Sequence, residues 1–145
     1  MRWQLFGVVP FIAASGDDLT RSAIARVQAE SIWLPSLWCA DAVQWMPGDD
    51  SQVLAAVRIG GNTSPIELTV APDGRLTAVR RSRWGNPPPD TKRFRVEEFG
   101  GVLEEKHAFG GYTIPSRVRV GWDFGSTRFA SEGEFFRTID DAAFR

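Results

Sequence analysis

Along this chain the spacing of apolar residues changes character once, near Pro35. Before it, Leu19, Ala23, Val27 and Leu34, with Ile24 and Ser31 alongside, recur at helical spacing, while Arg21, Arg26, Gln28 and Glu30 lie at the margin or outside. This predicts one helix from Asp17 to Leu34. Ser15 is placed to cap it, Asp17 and Asp18 suit the positive end of its dipole, and Pro35 disfavours helical geometry at Leu34.

Beyond Pro35 the period becomes two. Val43 to Met46 reads as a short strand; Val53, Ala55, Val57 and Ile59 share one face of the next; Ile66, Leu68 and Val70 share one face of a third. Gly60-Gly61-Asn62 and Pro72-Asp73-Gly74 supply the turns, the second joining Ile66–Val70 to a strand from Leu76 to Arg81. Trp84 to Asp90, with three consecutive prolines, reads as a stiff loop. Phe94 and Val96, then Leu103 to Phe109, form an extended stretch bulged at Gly100-Gly101. Gly110-Gly111 turns the chain, Val118, Val120, Trp122 and Phe124 alternate with polar or small residues, and a last strand spans Phe129 to Ile139. The segment Trp3 to Ala13 is too short for a transmembrane helix and has one arginine before its apolar run, so it reads as a first strand with Pro10 at a bend or edge rather than as a secretion signal.

About eight strands and one long helix, without regular strand–helix alternation, predict an α+β fold: a strongly curved antiparallel sheet packed around the helix. Such an arrangement can leave an apolar hollow between its layers. A length of 145 residues fits a single domain, 1–145, with a core that needs no staple.

Composition narrows the chemistry. Seventeen basic and eighteen acidic side chains leave a formal charge of −1, so no global field favours nucleic acid or an anionic membrane. Cys39 is the sole cysteine, which removes disulfide frameworks and cysteine-rich zinc modules and leaves the compartment open. No phosphate loop, dinucleotide fingerprint, calcium loop or metal-ligand spacing occurs, so no cofactor or metal is expected. His107 is the sole histidine; as a catalytic group it would need Glu105 or Asp123 within reach in a cleft. The acidic doublets, such as Glu104-Glu105, read as solvated surface, because neighbours on a strand face opposite ways. Arg75, Arg80, Arg81, Arg83, Lys92, Arg93 and Arg95 crowd into one stretch with Trp84 and Phe94, a pattern that can bind phosphates or stacked bases if it forms one surface. Six Trp and ten Phe against one Tyr skew the chain toward large apolar rings, which fill a core or wall a pocket.

Taken together, Glu30-Ser-Ile-Trp-Leu-Pro-Ser-Leu37, the strand with Trp45, the Pro-Asp-Gly hairpin before an Arg-rich strand, Gly111-Tyr-Thr-Ile-Pro-Ser116 and Val120-Gly-Trp122 resemble an uncharacterised bacterial domain-of-unknown-function family, itself loosely similar to the half-barrel of lipoprotein carriers. The resemblance covers about Leu5 to Ile139 and implies a fold rather than an activity. Similar proteins look longer, often with a membrane segment upstream, so it also implies a short member or a fragment. It favours a non-catalytic module for a hydrophobic or lipid-like ligand. Trp33, Trp38, Trp45, Trp84 and Trp122 are the candidate walls, and Arg80, Arg81 and Arg83 the candidate polar entrance. The alternatives are a protein-interaction module and an enzyme built on His107.

Overall fold

The computed structural model describes residues 2–5, 9–13, 16–88, 91–132 and 135–144. Seven strands form one open antiparallel meander, each paired with its chain neighbour: β3 (Val43–Met46), β4 (Gln52–Ile59), β5 (Asn62–Val70), β6 (Leu76–Gly85), β7 (Arg95–Phe109), β8 (Tyr112–Trp122) and β9 (Phe135–Thr138). The fold is therefore α+β with one long helix, α1 (Asp17–Glu30), packed on β6, β4 and β5. The predicted first strand is instead two, β1 (Arg2–Leu5) and β2 (Val9–Ala13), paired in a separate two-stranded sheet with Leu5 opposite Val9.

Turn chemistry sets the register. The Gly60-Gly61 and Gly110-Gly111 pairs have positive φ at both positions, the geometry that closes a two-residue hairpin in step with strand twist, and they put Ile59 opposite Asn62 and Phe109 opposite Tyr112. At Pro72-Asp73-Gly74, Ala71 exchanges backbone bonds with Gly74 and Arg75, both at 2.8 Å, and the Asp73 carboxylate accepts from the Arg75 amide at 3.1 Å. The bulge in β7 falls around Glu104 and Glu105 rather than at Gly100-Gly101, which stay in regular register opposite Gly121 and Val120.

Four other elements depart from the expectation. The α-helix ends at Glu30 and tightens into a 3-10 turn, Ser31–Trp33, followed by a second, Pro35–Cys39. Its N-cap is Gly16, without a side-chain cap bond; the expected cap, Ser15, lies outside the described residues. Strand β6 extends through Trp84 to Gly85, so the Pro-rich loop is shorter than expected. Phe129 sits not in the last strand but in a short helix, α2 (Thr127–Glu132). Asp123, at φ 55°, turns the chain after β8, and Phe124 leaves the row of Val118, Val120 and Trp122 to lie on Gly100 and against Phe129, ring centroids 4.8 Å apart. A methyl group at Gly100 would meet the Phe124 ring and the Val79 carbonyl, each at 2.5 Å, so only glycine admits this approach.

The core forms where the helix face of the sheet meets α1 and the 3-10 turns. Ala55, Val57 and Ile66 are fully buried there, with Ile32, Val43, Leu68 and Val79 around them. The opposite face carries a cross-strand ion ladder: Arg80 bonds Glu67 at 2.7 Å and approaches Glu98 at 3.7 Å, and Glu104 pairs with Arg117 and Arg119. Alternation thus separates an apolar face from a charged one.

The inward stripe of α1 differs most from the prediction. Val27 and Leu34 are 49% and 53% exposed, while Ala25 and Gln28 are buried together with Ser31, the one of these three that the expected stripe included. The buried polar groups are satisfied: Gln28 Nε2 donates to the carbonyls of Val57 at 2.7 Å and Asn62 at 3.2 Å, and Ser31 Oγ donates to the Gln28 carbonyl at 2.6 Å. Burial of Gln28 costs little when each amide atom has a partner.

Candidate functional site

The segment from α1 through the 3-10 turns crosses the apolar face of the sheet and leaves a groove on either side of Ile32, which borders both. The larger measures about 650 Å³. Its walls come from six successive strands, β3 to β8, including Trp45, Val53, Leu68, Leu76, Leu103 and Ile114. Trp38 closes one side, its indole nitrogen bonded to the Ser31 carbonyl at 2.9 Å and its ring 5.7 Å from that of Trp45. Trp45 remains 51% exposed.

The smaller groove, about 310 Å³, lies between α1 and strands β6 to β9. Trp33, Phe99, Trp122 and Phe135 form its aromatic wall, and Arg26, Arg81, Arg83 and Arg137 its basic one, against one carboxylate among the described residues, Glu30, which Arg26 holds at 2.6 Å. Trp33 is fixed by an indole bond to the Pro115 carbonyl at 2.9 Å, and Trp122 packs edge-on against Phe99 with centroids 5.0 Å apart. The Arg83 guanidinium lies 4.5 Å from the Phe99 ring centre and 4.9 Å from that of Trp122, and donates to Ser22 Oγ at 3.1 Å.

Arg81 is the least ordinary residue here. It is only 7% exposed, yet its bonds run to neutral acceptors: Nη1 to the Ala25 carbonyl at 3.0 Å and to Gln28 Oε1 at 2.8 Å, and Nε to the Ser82 carbonyl at 3.3 Å. No carboxylate among the described residues pairs with it. Burial disfavours its cation and lowers its pKa from the ordinary value.

The eight residues proposed from the sequence therefore divide. Trp38 and Trp45 meet in the larger groove; Trp33, Trp122, Arg81 and Arg83 meet in the smaller. Trp84 instead ties the start of α1 to β6, donating to the Asp18 carboxylate at 2.7 Å beneath the Arg21 guanidinium. Arg80 points to the charged face, since adjacent strand residues alternate. The same alternation disperses the basic stretch seen in the sequence: Arg75 pairs with Asp73 in a turn and Arg95 with Glu97 at 2.7 Å, so no single cationic surface forms from it. His107 is exposed and contacts the ring of Phe109, Asp123 pairs with Arg128 at 3.0 Å, and among the described residues neither Asp123 nor Glu105 forms an ion pair with His107. Gln28, Phe135 and Arg137 were not legible as site residues; Gln28 carried one signal, a long polar side chain at the margin of the supposed apolar stripe, one helical turn from Ala25 and Ser31.

Among the described residues no group of three or more potential ligands could hold a metal ion, and no helix is long and apolar enough to cross a membrane. The class these observations define is an α+β module in which one helical segment crosses an open seven-stranded meander and leaves a groove on each flank. The chain belongs to DUF6544, a family of unknown function, whose model matches residues 1–131. No curated protein and no solved structure matches it, so the likeness to lipoprotein carriers gains no support from known structures.

Proposed function

We propose that this protein is a single-domain, non-catalytic module that holds a hydrophobic or lipid-like molecule in the larger groove. One observation carries the reading: a space of about 650 Å³ walled by aliphatic side chains of five strands and by Trp45 of a sixth, with half of the Trp45 surface left uncovered at its side. That volume falls in the range of small-molecule sites, and an uncovered indole beside aliphatic walls is apolar area that a ligand would remove from water. On this reading the sheet bends as an open half-barrel. Trp33 reaches β8 and Trp38, five residues on, reaches β3; in a flat sheet these strands would lie about five spacings of 4.8 Å apart. Trp38 and Trp45 serve as the wall, and Lys106 with Glu104, Glu105 and the Asp73-paired Arg75 supplies charged groups at the groove for a polar end.

Native mass spectrometry of the full chain purified from cells, before and after organic extraction, tests the reading together with titration of Nile red, an uncharged apolar dye. A discrete lipid-like adduct and saturable one-to-one dye binding, weakened severalfold by Trp45→Ala, are expected. A bare polypeptide that also leaves the dye unbound would overturn the proposal in favour of a protein-interaction module.

A further inference from the structure

We infer that the smaller groove is a second, separate binding site, built for a small organic acid that places its carboxylate on Arg81 and its apolar body against Trp33, Trp122 and Phe135. The inference does not depend on the larger groove.

A buried guanidinium normally meets a carboxylate or phosphate, because neutral dipoles offset only part of the cost of removing a full charge from water. Arg81 has five N–H donors. Nε and Nη1 are occupied by Ser82, Ala25 and Gln28, which leaves both Nη2 hydrogens without a protein acceptor among the described residues, in a side chain that walls the groove. These bonds also hold the guanidinium rigidly between α1 and β6, so an arriving oxygen atom meets a donor already in place. Pre-set donors on a guanidinium that is itself largely buried favour an anion more than flexible surface lysines do. Desolvation acts in the same direction: a bound carboxylate would restore the charge balance that burial has disturbed.

The remaining walls define the rest of the ligand. Arg137 stands exposed at the rim, 4.3 Å over Phe135, where it can draw an anion inward. Arg26 is already offset by Glu30. The aromatic wall gives no further hydrogen-bond acceptor and calls for an apolar body, and about 310 Å³ suits a molecule with one ring or a short branched chain rather than a long acyl tail. The pattern of a buried cation at Arg81, a second cation at Arg83 seated on the rings of the recess, and a cationic rim thus selects for charge and size together.

Three probes test this on the full chain by nuclear magnetic resonance titration, following the Arg81 Nε–H and the indole signals of Trp33 and Trp122: phenylacetate, its uncharged counterpart phenylacetamide, and inorganic phosphate. Phenylacetate should shift these signals saturably and bind about tenfold or more tightly than phenylacetamide, the ratio expected for a charge-assisted bond to a buried group. Phosphate should bind more weakly than phenylacetate. Equal affinity for acid and amide, or no shift at Arg81, would overturn the inference, and phosphate binding as tightly as phenylacetate would overturn the organic part of it. Val120 lines the same groove from β8, two strands away from Arg81, and Val120→Phe fills the groove. It should abolish phenylacetate binding while Nile red still enters the larger groove; a folded variant that retains phenylacetate affinity would place the acid elsewhere. Should that variant not fold, the wild-type shifts at Arg81, Trp33 and Trp122 decide the matter by themselves.

Discussion

Replacing Gln28 by methionine keeps the length and helix propensity of the side chain but deletes its amide. In the structure Gln28 is fully buried and joins three elements: it accepts from Arg81 of β6 at 2.8 Å, and donates to the Val57 carbonyl of β4 at 2.7 Å and the Asn62 carbonyl of β5 at 3.2 Å. A hydrogen bond to a charged group contributes about 1.5–3 kcal/mol and a neutral one about 0.5–1.5, so we predict that Gln28→Met destabilises the protein by about 3 kcal/mol after some gain from the more apolar side chain. Part of that cost arises because Arg81 keeps its charge and loses an acceptor. Urea unfolding followed by circular dichroism measures the effect: with a slope of roughly 2 kcal/mol per molar, the midpoint should fall by about 1.5 M at unchanged slope. The double variant Gln28→Met/Arg81→Met should be less destabilised than the sum of the single changes, by about 1–3 kcal/mol, since it leaves neither a lone amide nor an uncompensated cation. A Gln28→Met midpoint within about 0.3 M of wild type, or additivity in the double variant, would refute the account of the helix as polar-anchored.

Three further outcomes follow from other sites. Gly100→Ala brings a methyl group against Phe124 and the Val79 carbonyl and should cost about 1–3 kcal/mol, read as a lowered thermal midpoint with altered near-ultraviolet dichroism; an unchanged midpoint would show that the segment after β8 does not pack on β7. Backbone and side-chain bonds from Ser51, with the Gln52 amide, hold the Asp49 carboxyl below its ordinary pKa of 3.8. Because the folded value is depressed, this contribution is present above 3.8 and is lost as pH falls through the folded value. Asp49→Asn should accordingly be less stable than wild type near neutral pH and equal to it in strong acid, and urea midpoints that differ by the same amount at both would count against the turn. Trp84→Phe removes the bond to Asp18 at the start of α1 and should cost about 0.5–1 kcal/mol, with faster amide hydrogen exchange confined to the first turns of the helix; uniform exchange throughout the protein would contradict a local tie.

Alternation and turn residues alone were enough to read the order of the meander and the places where its main hairpins close. Strands β3, β4, β5 and β8 follow from alternation, because one side of each strand must leave water while the next remains in it, and Gly60-Gly61, Gly74 and Gly110-Gly111 set where the chain reverses, because few other residues adopt their positive φ angles. The two grooves were not legible in that way. Counting apolar residues placed Val27 and Leu34 on the inner side of the helix beside Ser31, whereas the inner side joins Ser31 to Ala25 and Gln28: distant carbonyls and one guanidinium satisfy the polar atoms there, and small residues let the helix lie close to the sheet. The arginines were visible as a cluster, but only strand alternation and the packing of α1 separated Arg80, among carboxylates, from Arg81, buried without one. Periodicity reports which face a residue takes within its own element. Which partner waits on that face, and whether a charge there is matched, is decided by residues dozens of positions away and therefore only by the tertiary structure.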